Sequence, residues 1–320
     1  MATERILITG ANGQIGSVLT PELRARYGAE NVLATDIRAV KHTAPPFETL
    51  NILDAGRMAE LVRQHGITQI YHLAAVLSAK GEQNPLKTWE INMQGLFNVL
   101  ECARSEGVRR VFYPSSIAVF GVHTPREATP QFAFLDPRTV YGISKAAGEY
   151  WCRYYHLKYG LDVRSLRYPG IVGHQSMPGG GTTDYAVEIF HYAVKGLPYT
   201  CFLREDTRLP MMYMSDAIRA TIELMECPAE RLSIRLGYNL AGMSFTPREL
   251  SAAIRRHLPE FEVRYQPDFR QAIAESWPET IDDSLARQDW NWKPRFDLEA
   301  MTQDMIHHLQ LKYHQGVFPQ

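Results

Sequence analysis

The chain has 320 residues, 45% hydrophobic and 22% charged, which suits a globular protein of one large domain or two closely coupled ones. Its formal net charge of −1 creates no field to draw nucleic acid or an anionic membrane. No stretch approaches the ~18 apolar residues of a membrane span, and MATERILITG runs into a strand without a secretory leader, so a cytoplasmic setting is expected.

Glu4 to Gly10, ERILITG, is a short apolar run ending at glycine and reads as a buried strand. A helix follows from about Gln14 to Tyr27, then a strand over Asn31 to Asp36. Phe47 to Asp54 holds a short strand, after which Asp54 can cap a helix through Arg63. Ile67 to Ala75 is a strand, Asn84 to Gly107 a long helix, and Arg110 to Ser116 a strand. Thr139 to Tyr159 is helical and Asp162 to Tyr168 is a strand. Strands alternating with helices imply right-handed crossovers and a parallel sheet. Past Tyr168 the pattern loosens, with glycine and proline clustered over Pro169 to Gly181. Helices are expected at Thr183 to Lys195, Ser215 to Met225, Pro247 to His257 and Leu298 to His314, with strands near Pro210 to Met214 and Ile234 to Leu240. The expected fold is α/β, a doubly wound parallel sheet with a smaller α/β lobe. Residues 1–173, with 207–240 returning to them, would bind nucleotide; 174–206 and 241–320 would mainly form the substrate lobe.

Cys102, Cys152, Cys201 and Cys227 show neither metal-ligand nor redox spacing and read as four reduced thiols. The eleven histidines form no zinc pattern. His307 and His308, adjacent on a helix, read as surface residues.

ITGANGQIG puts Gly10, Gly13 and Gly16 where a strand turns into a helix. Glycine permits the tight turn and the close approach of backbone to phosphate, and the helix N-terminus favours a pyrophosphate. Asp36 closes the next strand, where a carboxylate accepts from both ribose hydroxyls and repels a 2′-phosphate. NAD is therefore favoured over NADP, although Arg38 and Lys41 would soften that repulsion. Asp54 either accepts from the adenine amine or simply caps its helix. HLAAV, His72 to Val76, ends the fourth strand with small residues that let a cofactor lie against backbone.

YGISK places Tyr141 and Lys145 four apart on one helix face. A nearby ammonium lowers a phenol's pKa, ordinarily near ~10, toward neutrality, so Tyr141 can act as a general base. Ser116 can hold the oxygen that Tyr141 deprotonates. Asn92, in the long helix, either anchors a relay water or is a buried amide bonded to backbone.

GANGQIG, Asp36, HLAA, Ser116, YGISK and RYPGIVG together resemble the extended short-chain dehydrogenase/reductase family over residues 5 to about 240. That resemblance implies a Rossmann sheet, bound NAD, Ser/Tyr/Lys chemistry with Ser116, Tyr141 and Lys145, and often a homodimer through two long helices, here 84–107 and 139–159. It also implies a cofactor surface of Gly10, Asn12, Gly13, Gln14, Ile15, Gly16, Asp36, Ile37, Arg38, Leu53, Asp54, Leu73, Ala74, Ala75, Asn92, Tyr141, Lys145, Tyr168 and Ile171.

RLPMMYMSDAIRA, Arg208 to Ala220, offers apolar surface and little for a sugar nucleotide's pyrophosphate. The loop PGGGTTDYA supplies hydroxyls, helix-start N–H groups and one carboxylate, which fit a zwitterion. With SAKGEQNP and SWPETIDDSLARQDWNW, these segments make nearly the whole chain similar to the short-chain-type L-threonine 3-dehydrogenases. The similarity implies metal-free oxidation of L-threonine at C3 to 2-amino-3-oxobutanoate. Ser78, Ser116, Tyr141, Gly181, Thr182, Asp184 and Trp277 would hold the substrate, although Asp184 could equally be a first-turn helix residue and Trp277 a core aromatic. Three other readings stay open: a nucleotide-sugar epimerase or dehydratase, a catalytically silent NAD sensor, and a dehydrogenase for a related 3-hydroxy amino acid such as serine.

Overall fold

The computed structural model describes residues 4–40, 44–177 and 179–316; Lys41 and Pro178, invoked above, lie outside them. Strands β1 (Ile6–Thr9), β2 (Val32–Asp36), β3 (Phe47–Thr49), β4 (Gln69–His72), β5 (Arg110–Ser116) and β6 (Asp162–Tyr168) alternate with helices α1 (Gly16–Tyr27), α2 (Ala55–His65), α3 (Ser78–Gly81), α4 (Pro85–Ser105) and α5 (Val140–Tyr159). The chain continues through β7 (Gly170–Val172), α6 (Tyr185–Val194), β8 (Tyr199–Cys201), β9 (Leu209–Tyr213), α7 (Met214–Glu226) and β10 (Gly237–Asn239). It ends with β11 (Met243–Phe245), α8 (Pro247–His257), β12 (Val263–Tyr265), α9 (Arg270–Glu275), α10 (Ser284–Trp290) and α11 (Leu298–His314).

Seven strands form one sheet in the order β10-β6-β5-β4-β1-β2-β3, every pairing parallel. Side chains alternate across it. Leu7, Leu33, Ile70, Val111 and Val163 pack with Leu61 of α2, Leu96 of α4 and Tyr155 of α5. Ile6, Ile8, Val32, Tyr71, Phe112 and Leu166 pack on the opposite face with Leu19 of α1 and Leu224 of α7. Both faces being covered explains why these strands read as continuous apolar runs. A further apolar cluster joins Phe190 of α6, Leu209 and Tyr213 of β9, Ile254 of α8 and Met305 of α11. It is served by two small sheets, β11-β9-β7 and β12-β8.

The helix ends follow their local chemistry. Asp54 accepts from the Arg57 N–H and caps α2, Asn84 caps α4 with Pro85 at its first position, and Thr139 caps α5. α5 stops at Gly160, whose φ of 70° is left-handed. Differences from the sequence reading are mostly local. β4 ends at His72 rather than Ala75: the Leu73 N–H still donates to the Thr9 carbonyl, and the segment beyond it borders the cavity described next with Ala75 and Leu77. The glycine-rich stretch after Tyr168, expected to be irregular, holds β7, which pairs with β9 and not with the main sheet.

Candidate active site

The C-terminal ends of β1, β4, β5 and β6 open on a cavity of about 140 Å³. Crevices outside the carboxyl ends of parallel strands are where open α/β sheets bind ligands. Gln14 and Ile15 reach it from the turn after β1, and Leu73 and Ala75 from the segment after β4. Ser116 ends β5, Tyr168 ends β6 and Ile171 lies in β7, all three on its wall. Ser78, Gly181, Thr182, Asp184 and Trp277 form the remaining side.

Tyr141 and Lys145 enter from the first turns of α5. That helix can approach because Gly142 has no side chain: a Cβ there would lie 2.2 Å from the Ala118 carbonyl oxygen. Lys145 is buried. Its Nζ donates to the Pro114 carbonyl at 2.6 Å and lies 4.6 Å from the Tyr113 ring centre and 5.5 Å from that of Tyr141. Burial pulls its pKa down to about 7, with Cys152 and Glu149 opposing. Tyr141 departs from the sequence expectation. Burial pushes its phenol up to about 12, and only a hydrogen bond with Ser116 pulls the other way. The ammonium points at a carbonyl instead of the phenol oxygen, so the spacing of YGISK does not by itself deliver a base near neutrality.

The far wall is polar and buried. Ser78 Oγ and Thr182 Oγ1 are 3.4 Å apart. Asp184 Oδ2 accepts from the Gly180 and Gly181 N–H groups at 2.8 and 2.7 Å, so this carboxylate shapes the glycine loop as well as facing the cavity. Its pKa is raised, burial outweighing those backbone bonds. Trp277 is 4% exposed and joins the small-lobe core while also touching the cavity.

The other expected cofactor residues lie away from the cavity. Asp36 Oδ2 accepts from the Asn12 N–H at 3.0 Å and Oδ1 from that of Ile37 at 2.8 Å. Asn12 Nδ2 donates to the Arg38 carbonyl. A carboxylate so fixed at the end of β2, beside the Gly10–Gly13–Gly16 turn, fits a nucleotide's ribose hydroxyls. The turn itself is tight: a Cβ at Gly10 would lie 2.7 Å from the Ala74 nitrogen and one at Gly16 would lie 2.3 Å from the Gly10 oxygen. Leu53 follows β3, and its N–H is held by Asn51. Asn92 is buried and bonded to the Val76 N–H and carbonyl at 2.8 and 3.1 Å and to Ser144. Its amide therefore holds the segment running from β4 to Ser78 and does not line the cavity.

Sequence reading missed one group. Glu149 accepts from Ser115 at 2.6 Å and from Arg167 at 2.9 and 2.8 Å. Arg167 also donates to the Gln131 carbonyl and to Asn239 of β10. The signal was present: Glu149 stands four residues past Lys145 and eight past Tyr141, an acid on the inward face of α5. Its neighbours Ser115 and Arg167 immediately precede Ser116 and Tyr168 of the cavity.

A doubly wound parallel sheet, a glycine turn backed by Asp36, and Ser116, Tyr141 and Lys145 at one cavity define a Rossmann enzyme of the short-chain dehydrogenase/reductase type. The chain belongs to the NAD-dependent epimerase/dehydratase family, whose profile matches residues 6–241. It is 48% identical over 314 residues to an uncharacterized epimerase/dehydratase of Staphylococcus haemolyticus, covering 97% of this chain and 98% of the relative. A GalE-like L-threonine dehydrogenase from Cupriavidus necator, solved in a holo form, is 59% identical with a TM-score of 0.94, covering 95% of this chain and 99% of that one. A monomeric L-threonine 3-dehydrogenase of metagenomic origin is 46% identical with a TM-score of 0.93, covering 96% and 99%. Among the described residues, no helix is long and apolar enough to cross a membrane. The four cysteines are buried and free.

Proposed function

We propose that this protein is an NAD-dependent dehydrogenase that oxidises L-threonine at C3 to L-2-amino-3-oxobutanoate without a metal. The observation that carries the reading is the meeting of Ser116, Tyr141 and Lys145 with Ser78, Thr182 and Asp184 at one small cavity. The substrate side of that cavity offers two small hydroxyls and one carboxylate, Ser78, Thr182 and Asp184, which favours a zwitterionic amino acid over a sugar nucleotide. The similarity to L-threonine dehydrogenases across nearly the whole chain supports the same substrate.

Gly10, Asn12, Gly13 and Gly16 would cradle the pyrophosphate, and Asp36, Ile37, Arg38, Leu53 and Asp54 the adenosine. Gln14, Ile15, Leu73, Ala74, Ala75, Tyr168 and Ile171 would border the rest. When bound, the nicotinamide supplies a hydride acceptor and a positive charge. That charge would favour the phenolate of Tyr141, supplying the lowering that Lys145, aimed at the Pro114 carbonyl, does not give by itself. Tyr141 Oη takes the proton from the C3 hydroxyl while Ser116 holds that oxygen. Ser78 and Thr182 bind the substrate carboxylate. Asp184, with two oxygens and about four acceptor sites, keeps capacity for the ammonium beyond its two loop bonds. Burial of this wall excludes water around the hydride.

Residues 1–173 and 207–240 would carry the nucleotide half, and 174–206 and 241–320 the substrate lobe, in a cytoplasmic homodimer joined through α4 and α5. Leu86 of α4 and Tyr150, Trp151, Tyr154 and Leu157 of α5 are exposed apolar residues that such pairing would cover. The test is NADH absorbance with purified protein, NAD⁺ and L-threonine, beside D-threonine, L-serine and UDP-sugars, with and without chelator. Chelator-insensitive NADH formation selective for L-threonine is expected. No turnover of L-threonine by protein that binds NAD would overturn the reading.

A further inference from the structure

Beyond the cavity, the loop leaving β7 and the final helix bring three ligand-type side chains together. His174 lies two residues past β7, and Asp304 and His308 are one turn apart on α11, on one face of the helix. A ring nitrogen of each histidine and a carboxylate oxygen of Asp304 all lie within 4.8 Å of one another. His308 Nε2 and Asp304 Oδ1 are already 3.5 Å apart. The two imidazoles stack, with centres 4.0 Å apart and planes inclined by 9°.

Two further features bear on this cluster. His174 Nδ1 is buried with no hydrogen-bond partner, while its Nε2 lies 3.0 Å from Gln175 Nε2. A buried ring nitrogen without a partner is uncommon and calls for a cause. Asp304 is oriented from behind, because the Tyr213 hydroxyl donates to its Oδ2, as outer groups commonly hold metal-binding carboxylates.

We infer that His174, Asp304 and His308 form a non-catalytic site for a late first-row divalent cation such as Zn²⁺, Co²⁺ or Ni²⁺. Two imidazoles and one carboxylate suit these ions; Mg²⁺ and Ca²⁺ prefer oxygen ligands. Three protein ligands leave room for water to complete a tetrahedral shell. Metal–ligand distances of about 2.0–2.2 Å bring ligand atoms closer than the stack now holds the two rings, and parallel rings do not aim their lone pairs at one point. One ring must turn out of the stack. His308 is the one able to do so, its side chain being 41% exposed. Lys312, one turn further along α11, donates to the His174 carbonyl and opposes the cation. Ile171, three residues before His174, borders the reactive cavity. Occupancy would therefore tie the loop beside that cavity to the last helix.

The test uses full-length protein without a histidine tag, stripped with chelator and titrated with Co²⁺ and Zn²⁺. Calorimetry would be read beside the visible absorption of Co²⁺ and the thermal midpoint. One equivalent per chain is expected, with a rise in midpoint. His308→Ala and Asp304→Asn should each weaken binding at least about tenfold, and Lys312→Met should strengthen it. His307→Ala, at the neighbouring exposed ring, should leave it unchanged. Metal-free melts matching the parent would show that the variants fold. No stoichiometric binding, or undiminished binding in His308→Ala, would overturn the site and leave the histidine stack as packing alone.

Discussion

Replacing Glu149 by alanine removes the acceptor at the centre of a buried network. Its side chain is fully buried and that of Arg167 is 2% exposed. The guanidinium would keep its bonds to Gln131 and Asn239 but lose its counter-charge, and the Ser115 hydroxyl would lose its acceptor. Breaking a buried pair from one side costs about 3–5 kcal/mol, and an orphaned hydroxyl adds roughly 1. The expected loss is about 4–6 kcal/mol, a large part of the ~5–15 kcal/mol that stabilises a typical domain. Urea titration followed by circular dichroism would measure it. Replacing both partners with apolar residues, Glu149→Leu with Arg167→Met, should cost less than the sum of the single changes, because no charge is then left unpaired. A single-variant loss below about 1 kcal/mol, or strictly additive losses, would refute the network as a coupled unit.

Tyr141→Phe should lower turnover of L-threonine by about 10²-fold or more while NAD still binds; fluorescence titration beside the NADH assay would separate the two. Lys145→Met should stabilise the cofactor-free protein in a pH-dependent way. Folding depresses this amine from 10.5 to about 7, so the cost of burying its charge is full below pH about 7 and vanishes as pH rises past the unfolded value. The gain should reach a few kcal/mol, at about 1.4 per unit, and fade by pH ~10.4; a pH-independent difference in denaturation midpoint would contradict it. Gly16→Ala puts a Cβ 2.3 Å from the Gly10 oxygen and should abolish measurable NAD binding by calorimetry. Leu157→Glu, at a side chain 70% exposed on α5, should shift the sedimentation coefficient from dimer to monomer; a parent protein that already sediments as a monomer would remove the dimer.

The main sheet was legible because its strands are buried on both faces and their helices carry conventional caps. β5, β6, α8 and α11 match the expected bounds. β8, β11 and β12 were not foreseen, since three residues each leave no periodicity to read. Most of the polar and reactive residues around the cavity were named in advance, Ser115 being an exception, because they sit at strand ends or helix starts with local signatures of their own. What pattern could not supply was direction. It did not show that Lys145 aims at Pro114, that Asn92 clamps Val76 or that Asp36 is already tied to Asn12 and Ile37. His308 illustrates the limit most sharply, since its stacking partner His174 lies over a hundred residues away in the chain.

The edge strand β10 has a consequence for how the molecule is made. A chain emerging through Val172 holds six strands of the sheet but leaves β6 bare, and Arg167 still lacks the Asn239 oxygen. Gln131 waits as well, because its amide bonds to Gly237 and Asn239. An uncovered strand edge invites pairing with other chains, so the growing polypeptide carries that hazard until residue 239 clears the ribosome, with α6 and β9 already synthesised. The same order constrains recombination. A different substrate pocket cannot be exchanged by one crossover after β7, because the segment containing β10 must stay with the sheet it completes.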